Sequence, residues 1–95
     1  MIFVYNNNRR ELRNLTNSET YELTEYEKDL LLSLISNKFV SYKEIAIYMY
    51  KYYNLNLIRD IQAMKTRLLI STNYSLDIKT IRKKGYILRD EILIE

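Results

Sequence analysis

The chain has 95 residues, 28% of them charged, a net charge of +3, and neither cysteine nor histidine. This excludes disulfides, thiol redox chemistry and the usual His-dependent nucleophilic triads, and it leaves a zinc site only carboxylates, a rare arrangement. No apolar run approaches the ~18 residues that span a bilayer, and the opening MIFVYNNN lacks the charged lead and apolar length of a signal peptide, so a single cytoplasmic domain over 1–95 is expected, without membrane contact, metal or cofactor.

The first 23 residues read as short strands. IFVY (Ile2–Tyr5) and ELRN (Glu11–Asn14) flank an Asn-rich turn, and TYEL (Thr20–Leu23) alternates after the turn TNS. At Thr24 the pattern changes. Thr24 and Glu27 have the spacing of a capping box, which opens a first helix running to about Ser36 with Leu30, Leu31, Leu34 and Ile35 on its apolar face. Asn37-Lys38 ends it. Ser41 and Glu44 form a second capping box, and a short helix follows to about Tyr50, with Ile45, Met49 and Tyr48 turned to the core. KYYNLN (Lys51–Asn56) reads as a loop.

A third helix begins near Leu57. Leu57, Ile61, Met64 and Leu68 recur at i, i+4, i+7 and i+11, the stripe of a core face. The opposite face carries Arg59, Gln62, Ala63 and Thr66, with Arg67 at its edge and Lys65 beside the stripe. The helices thus span 24–70. After STNYS, LDIKTI (Leu76–Ile81) and GYIL (Gly85–Leu88) alternate as two strands of a hairpin over 76–90, joined by RKK. Gly85 is the only glycine, and the hairpin turn is the natural place for a residue that adopts positive φ freely.

Charge is distributed unevenly. From Arg59 to Arg89 there are eight cations (Arg59, Lys65, Arg67, Lys79, Arg82, Lys83, Lys84, Arg89) against Asp60 and Asp77, a net +6, whereas residues 1–58 balance at seven of each sign. A concentrated cation source at one end of a small domain is the footprint of a polyanion binder. The bland alternative is a solvated basic face, which three adjacent like charges on one hairpin tip make less comfortable.

Strands, three helices and a basic hairpin follow the order of an α+β winged helix-turn-helix, with an N-terminal antiparallel sheet and a C-terminal wing. In detail the chain resembles the OmpR/PhoB-type effector domain of bacterial two-component response regulators. LTEYEKDLLLSL is similar to that family's first helix LTxxEFxLLxxL, and VSYKEIAIYMY to vSReeLlxxvW, with Tyr50 at the tryptophan. IQAMKTRL is similar to the recognition helix IxRLRxxL, and IKTIRKKGYIL to the wing IxTVRGxGYxL. The chain departs from the pattern at Lys28, which stands at a core phenylalanine and implies a shifted register or a compensating Tyr26. It departs again at Ala63, which stands at a DNA-reaching arginine, and at Lys83, which stands at the first wing glycine. These residues contain no counterpart of the receiver domain that precedes the effector domain in that family, which fits either a part of a longer regulator or a free-standing member.

The resemblance implies sequence-specific binding of double-stranded DNA for transcriptional regulation, with the third helix in the major groove and the wing at the next minor groove. Arg59 and Gln62 suit base edges, Thr66 a thymine methyl or a phosphate, and Arg67 and Lys65 phosphates, Lys65 by snorkelling. Ala63 lies on the same face, and Thr80, Arg82, Lys83 and Lys84 serve on the wing. The resemblance also implies RNA polymerase as a partner through the loop 51–56, and it allows a homodimer on tandem half-sites. Three rivals stand beside this reading. A winged helix used only for protein contact draws support from the Tyr-rich loop. RNA binding lacks the Gly-aromatic motifs of the usual modules. An enzyme would have to work with Glu25, Glu27 and Asp29, which read as a solvated helix start that complements the helix dipole.

Overall fold

A computed structural model describes residues 1–36 and 38–95. In chain order the elements are β1 (Ile2–Asn6), β2 (Glu11–Asn14), β3 (Thr20–Glu22), α1 (Glu25–Ser33), β4 (Phe39–Ser41), α2 (Tyr42–Tyr50), α3 (Asn56–Ser71), β5 (Ile78–Ile81), β6 (Gly85–Leu88) and β7 (Glu91–Ile94). They form a four-stranded sheet ordered β3-β2-β1-β7 and a three-stranded sheet ordered β4-β6-β5, and residues of both sheets share one apolar core with the helices.

Both capping boxes form. Thr24 accepts from the Glu27 N–H while the Glu27 carboxylate accepts from the Thr24 N–H, and Ser41 and Glu44 do the same for α2. Each satisfies two amides that a helix start leaves without partners. The first helix stops at Ser33, three residues before the expected end, because its last turn tightens: the N–H groups of Leu34 and Ile35 bond the carbonyls three residues back. Asn37, half of the expected Asn37-Lys38 break, lies outside the described residues.

Leu30, Leu31 and Leu34 are buried as the periodicity requires, so Lys28 causes no change of register. Its ammonium is drawn aside onto Glu25 at 2.8 Å and Asp29 at 2.9 Å, and Arg10 of the strand platform reaches the same Glu25 at 3.1 Å. Tyr26 does not fill the core in its place; it is exposed and leans on Tyr50, ring centroids 6.3 Å apart. In α2 the buried side chains are Tyr42, Ile45, Ala46 and Met49. Tyr48, expected inside, is exposed. At 100° per residue the stripe Tyr42-Ile45-Ala46-Met49 leaves position 48 on the outer side. On α3, Leu57, Ile61 and Leu68 are buried, while Met64 is half-buried.

Two strands are not foreseeable from local pattern. The three-residue β4 exists only through its antiparallel pairing with β6, Val40 opposite Tyr86 and Ser41 opposite Gly85. The acidic-looking end of the chain forms β7, which runs parallel to β1 with Phe3 beside Ile92. The N-terminal sheet is therefore mixed, and Phe3, Tyr5, Leu12 and Ile92 close the core beneath it.

The single glycine has the expected positive φ, but it is not the left-handed residue of the turn. The wing turn is closed by the Lys84 N–H donating to the Ile81 carbonyl at 2.9 Å, and its left-handed residue is Lys83, at φ 63°. Gly85 opens β6 at φ 156°, where β4 crosses so closely that a Cβ would stand 2.1 Å from the Val40 carbonyl oxygen. Glycine is required there by the approach of a neighbouring strand.

Candidate nucleic-acid interface

α3 is 16 residues long and held by its apolar stripe, which leaves Arg59, Gln62, Ala63, Thr66 and Arg67 exposed on one face. Thr66 turns its hydroxyl back to the Gln62 carbonyl at 3.3 Å. The Gln62 amide lies 3.5 Å from the Tyr42 hydroxyl, the weak limit of a hydrogen bond, so it is free to turn outward. The side chain of Ala63 is short, and a groove opens beside it between Tyr26, Tyr50, Asp60, Met64 and Arg67.

On the wing, Arg82, Lys83 and Lys84 are exposed at the tip. Lys79 and Arg89 are exposed lower on the same hairpin. Thr80 is exposed too, but its hydroxyl is held by the Lys65 ammonium at 2.7 Å. Lys65 does not project with the other cations of α3. It is half-buried, with its ammonium 5.1 Å from the centre of the Tyr86 ring. Tyr86 is buried and meets Tyr42 edge to face at 5.4 Å, and burial together with the Tyr42 hydroxyl pushes its phenol well above the ordinary tyrosine value.

The sequence-predicted residues divide into two groups. Arg59, Gln62, Ala63, Thr66 and Arg67 lie along α3, and Arg82, Lys83 and Lys84 crown the hairpin, with Lys65 and Thr80 joined between them. Among the described residues, ion pairs involve Arg9, Arg10, Lys28 and the amino terminus, and none of the eight cations from Arg59 to Arg89 takes part in one. The acids in those pairs are Glu11, Glu25, Asp29 and Asp90, and the cations of α3 and the wing are left without an ion pair among the described residues.

The acids considered as an enzymatic cluster do not form one. Glu27, expected on a solvated helix start, is buried; besides its capping bonds it accepts the Ser71 hydroxyl from the end of α3. Glu25 is exposed, and its hydrogen bonds to Lys28 and Arg10 hold its carboxyl below the usual range. The loop between α2 and α3 exposes Tyr52 and Leu55, and Lys51 at its start adopts φ 70° and donates to the Tyr48 carbonyl at 3.1 Å. What sequence reasoning missed is the Tyr26–Tyr50 pair and the Lys65–Thr80 bond, both made between segments distant in sequence.

Three helices carrying a hairpin that pairs with a short strand ahead of the second helix, behind a strand platform, define a winged helix-turn-helix of the α+β class. The fold is similar to that of the crystal structure of the DNA-binding domain of Bacillus subtilis CssR, with a TM-score of 0.72 and 24% identity over 90% of this chain and 98% of that one. No protein-family model and no curated protein sequence matches the chain.

Proposed function

We propose that the chain binds double-stranded DNA in a sequence-specific manner to regulate transcription, as an OmpR/PhoB-type effector domain in a bacterial two-component system. The observation that carries this reading is the unpaired positive surface. The segment from α3 through the wing carries eight cations against Asp60 and Asp77, with no ion pair to any of those cations among the described residues, and phosphate neutralisation supplies most of the affinity of such proteins. α3 lies in the major groove. Arg59 pairs with guanine and Gln62 with adenine, Thr66 meets a thymine methyl or a phosphate, and Arg67 takes a phosphate. Arg82 enters the neighbouring minor groove, with Lys83 and Lys84 on its phosphates.

Ala63 offers no polar group to a base, so a second copy on a tandem half-site supplements the readout. The exposed loop 51–56 is left to meet RNA polymerase. The domain carries out no catalysis and works in the cytoplasm. Among the described residues no helix is long and apolar enough to cross a membrane. The exposed Tyr48, Tyr52 and Leu55 also favour a second reading, a protein-contact module that does not bind DNA.

Selection from random-sequence duplexes tests the proposal. Arg59→Ala and Gln62→Ala are expected to cost roughly 1–3 kcal/mol each on the selected site and little on random DNA. Equal losses on both would show that these side chains do not read bases.

A further inference from the structure

We infer that Lys65 acts through Thr80 as a positioning residue, fixing the wing against α3 so that the distance between the two DNA-contacting elements becomes part of what the protein reads. The inference rests on the DNA-binding reading for its consequence, though the latch itself is a property of the free protein.

Lys65 differs from the other cations of its helix. Arg59 and Arg67 are exposed, whereas Lys65 is half-buried with its ammonium over Tyr86 and donating to Thr80. Those two contacts are cross-strand neighbours, since Thr80 of β5 stands opposite Tyr86 of β6. One side chain of α3 therefore touches both strands of the hairpin at the same level. Tyr86 cannot give way, because it is buried, packed edge to face on Tyr42 and backed by Val40 in the register of β4.

Among the described residues no backbone hydrogen bond joins α3 to the hairpin. The short connection 72–77 and side-chain contacts set their relative placement, and among the described residues the Lys65–Thr80 bond is the directional side-chain contact between them. Among the described residues no carboxylate lies within ion-pair distance to draw the ammonium elsewhere. A phosphate could recruit Lys65 only by breaking a charge-assisted hydrogen bond and a cation–π contact. The exposed Arg67, Lys83 and Lys84 serve phosphates without that loss.

The test uses Lys65→Met, which keeps the stem over Tyr86, and Thr80→Val, which keeps the strand and removes no charge, singly and together. Amide hydrogen exchange of the free protein is followed over the hairpin. Binding is measured on selected duplexes in which the A/T flank is moved by one or two base pairs relative to the major-groove site. We expect each single variant to speed hairpin exchange about three- to tenfold, the change that loss of one hydrogen bond allows. Each also flattens the preference for one spacing, and the double variant goes no further than either single one. Unchanged exchange, or effects of the two substitutions that add, overturn the inference; so does a Lys65→Met variant that weakens all duplexes alike and lowers the salt slope by about 1 while Thr80→Val does nothing. Should the parent protein bind no duplex, the DNA reading fails, and the exchange measurement still decides whether the latch exists.

Discussion

Gly85 lies against Val40 so closely that no other residue fits between β6 and β4: an added Cβ would meet the Val40 carbonyl oxygen at 2.1 Å and the Ser41 Cα at 2.8 Å. Both obstacles are backbone and cannot swing aside. Gly85→Ala is therefore expected to destabilise the protein by roughly 2–4 kcal/mol by denaturant unfolding, with β4 pushed off the wing sheet. A cost below 1 kcal/mol would mean that β4 is not held where it is seen.

Lys83 makes the complementary case. It takes the left-handed conformation of the wing turn at φ 63°, which a side chain with a Cβ adopts at a cost of about 1–2 kcal/mol. Lys83→Gly should raise stability by about 1 kcal/mol while weakening binding to every duplex and lowering the salt slope by about 0.9. Stability and affinity thus move in opposite directions. If both fall, the turn geometry has been misread.

How much of this was legible in the sequence depends on the distance between partners. The capping boxes Thr24–Glu27 and Ser41–Glu44 are contacts three residues apart, and the α3 stripe is a periodicity within one helix, so both could be read directly. Motif order then carried the fold as far as a wing. β4 and β7 were not legible, because three or four residues of strand acquire meaning only from partners such as Tyr86 and Phe3, far along the chain. Gly85 was read as a turn residue for the same reason: the strand that forbids its side chain lies more than forty positions away. On the candidate interface the outward residues of α3 were legible from the helical period. The place of Lys65 beside the core stripe was legible in the same way, but its bond to Thr80 was not, since nothing near it in sequence announces Thr80.

Glu27 illustrates a residue whose role doubled once the fold was known. Its carboxylate caps α1 and also accepts the Ser71 hydroxyl, tying the start of the first helix to the end of the third. Ser71→Ala should cost about 1–2 kcal/mol by leaving a buried carboxylate oxygen without its donor, and Glu27→Ala roughly 2–3 kcal/mol by removing the cap as well. Combining the two should add little to Glu27→Ala alone, and full additivity in thermal or denaturant unfolding would argue against the shared bond.

Tyr5 is fully buried, and among the described residues its hydroxyl has no hydrogen-bond partner; burial, the largest influence on it, raises its phenol above the ordinary value. Removing an unsatisfied buried hydroxyl relieves a desolvation penalty, so Tyr5→Phe should stabilise the protein by up to about 1 kcal/mol. A clear loss of stability in the same unfolding assay would reveal a partner for that oxygen.

The claim on which the rest depends is that the unpaired cations of α3 and the wing exist to neutralise DNA phosphates. The most direct measurement is the salt dependence of the association constant on a selected duplex. Neutralising ~5–7 phosphates gives a slope of log K against log salt of about −5 to −6. A flat dependence, or no binding to any duplex at low salt, would contradict the account and leave the exposed tyrosines of the α2–α3 region as the functional surface.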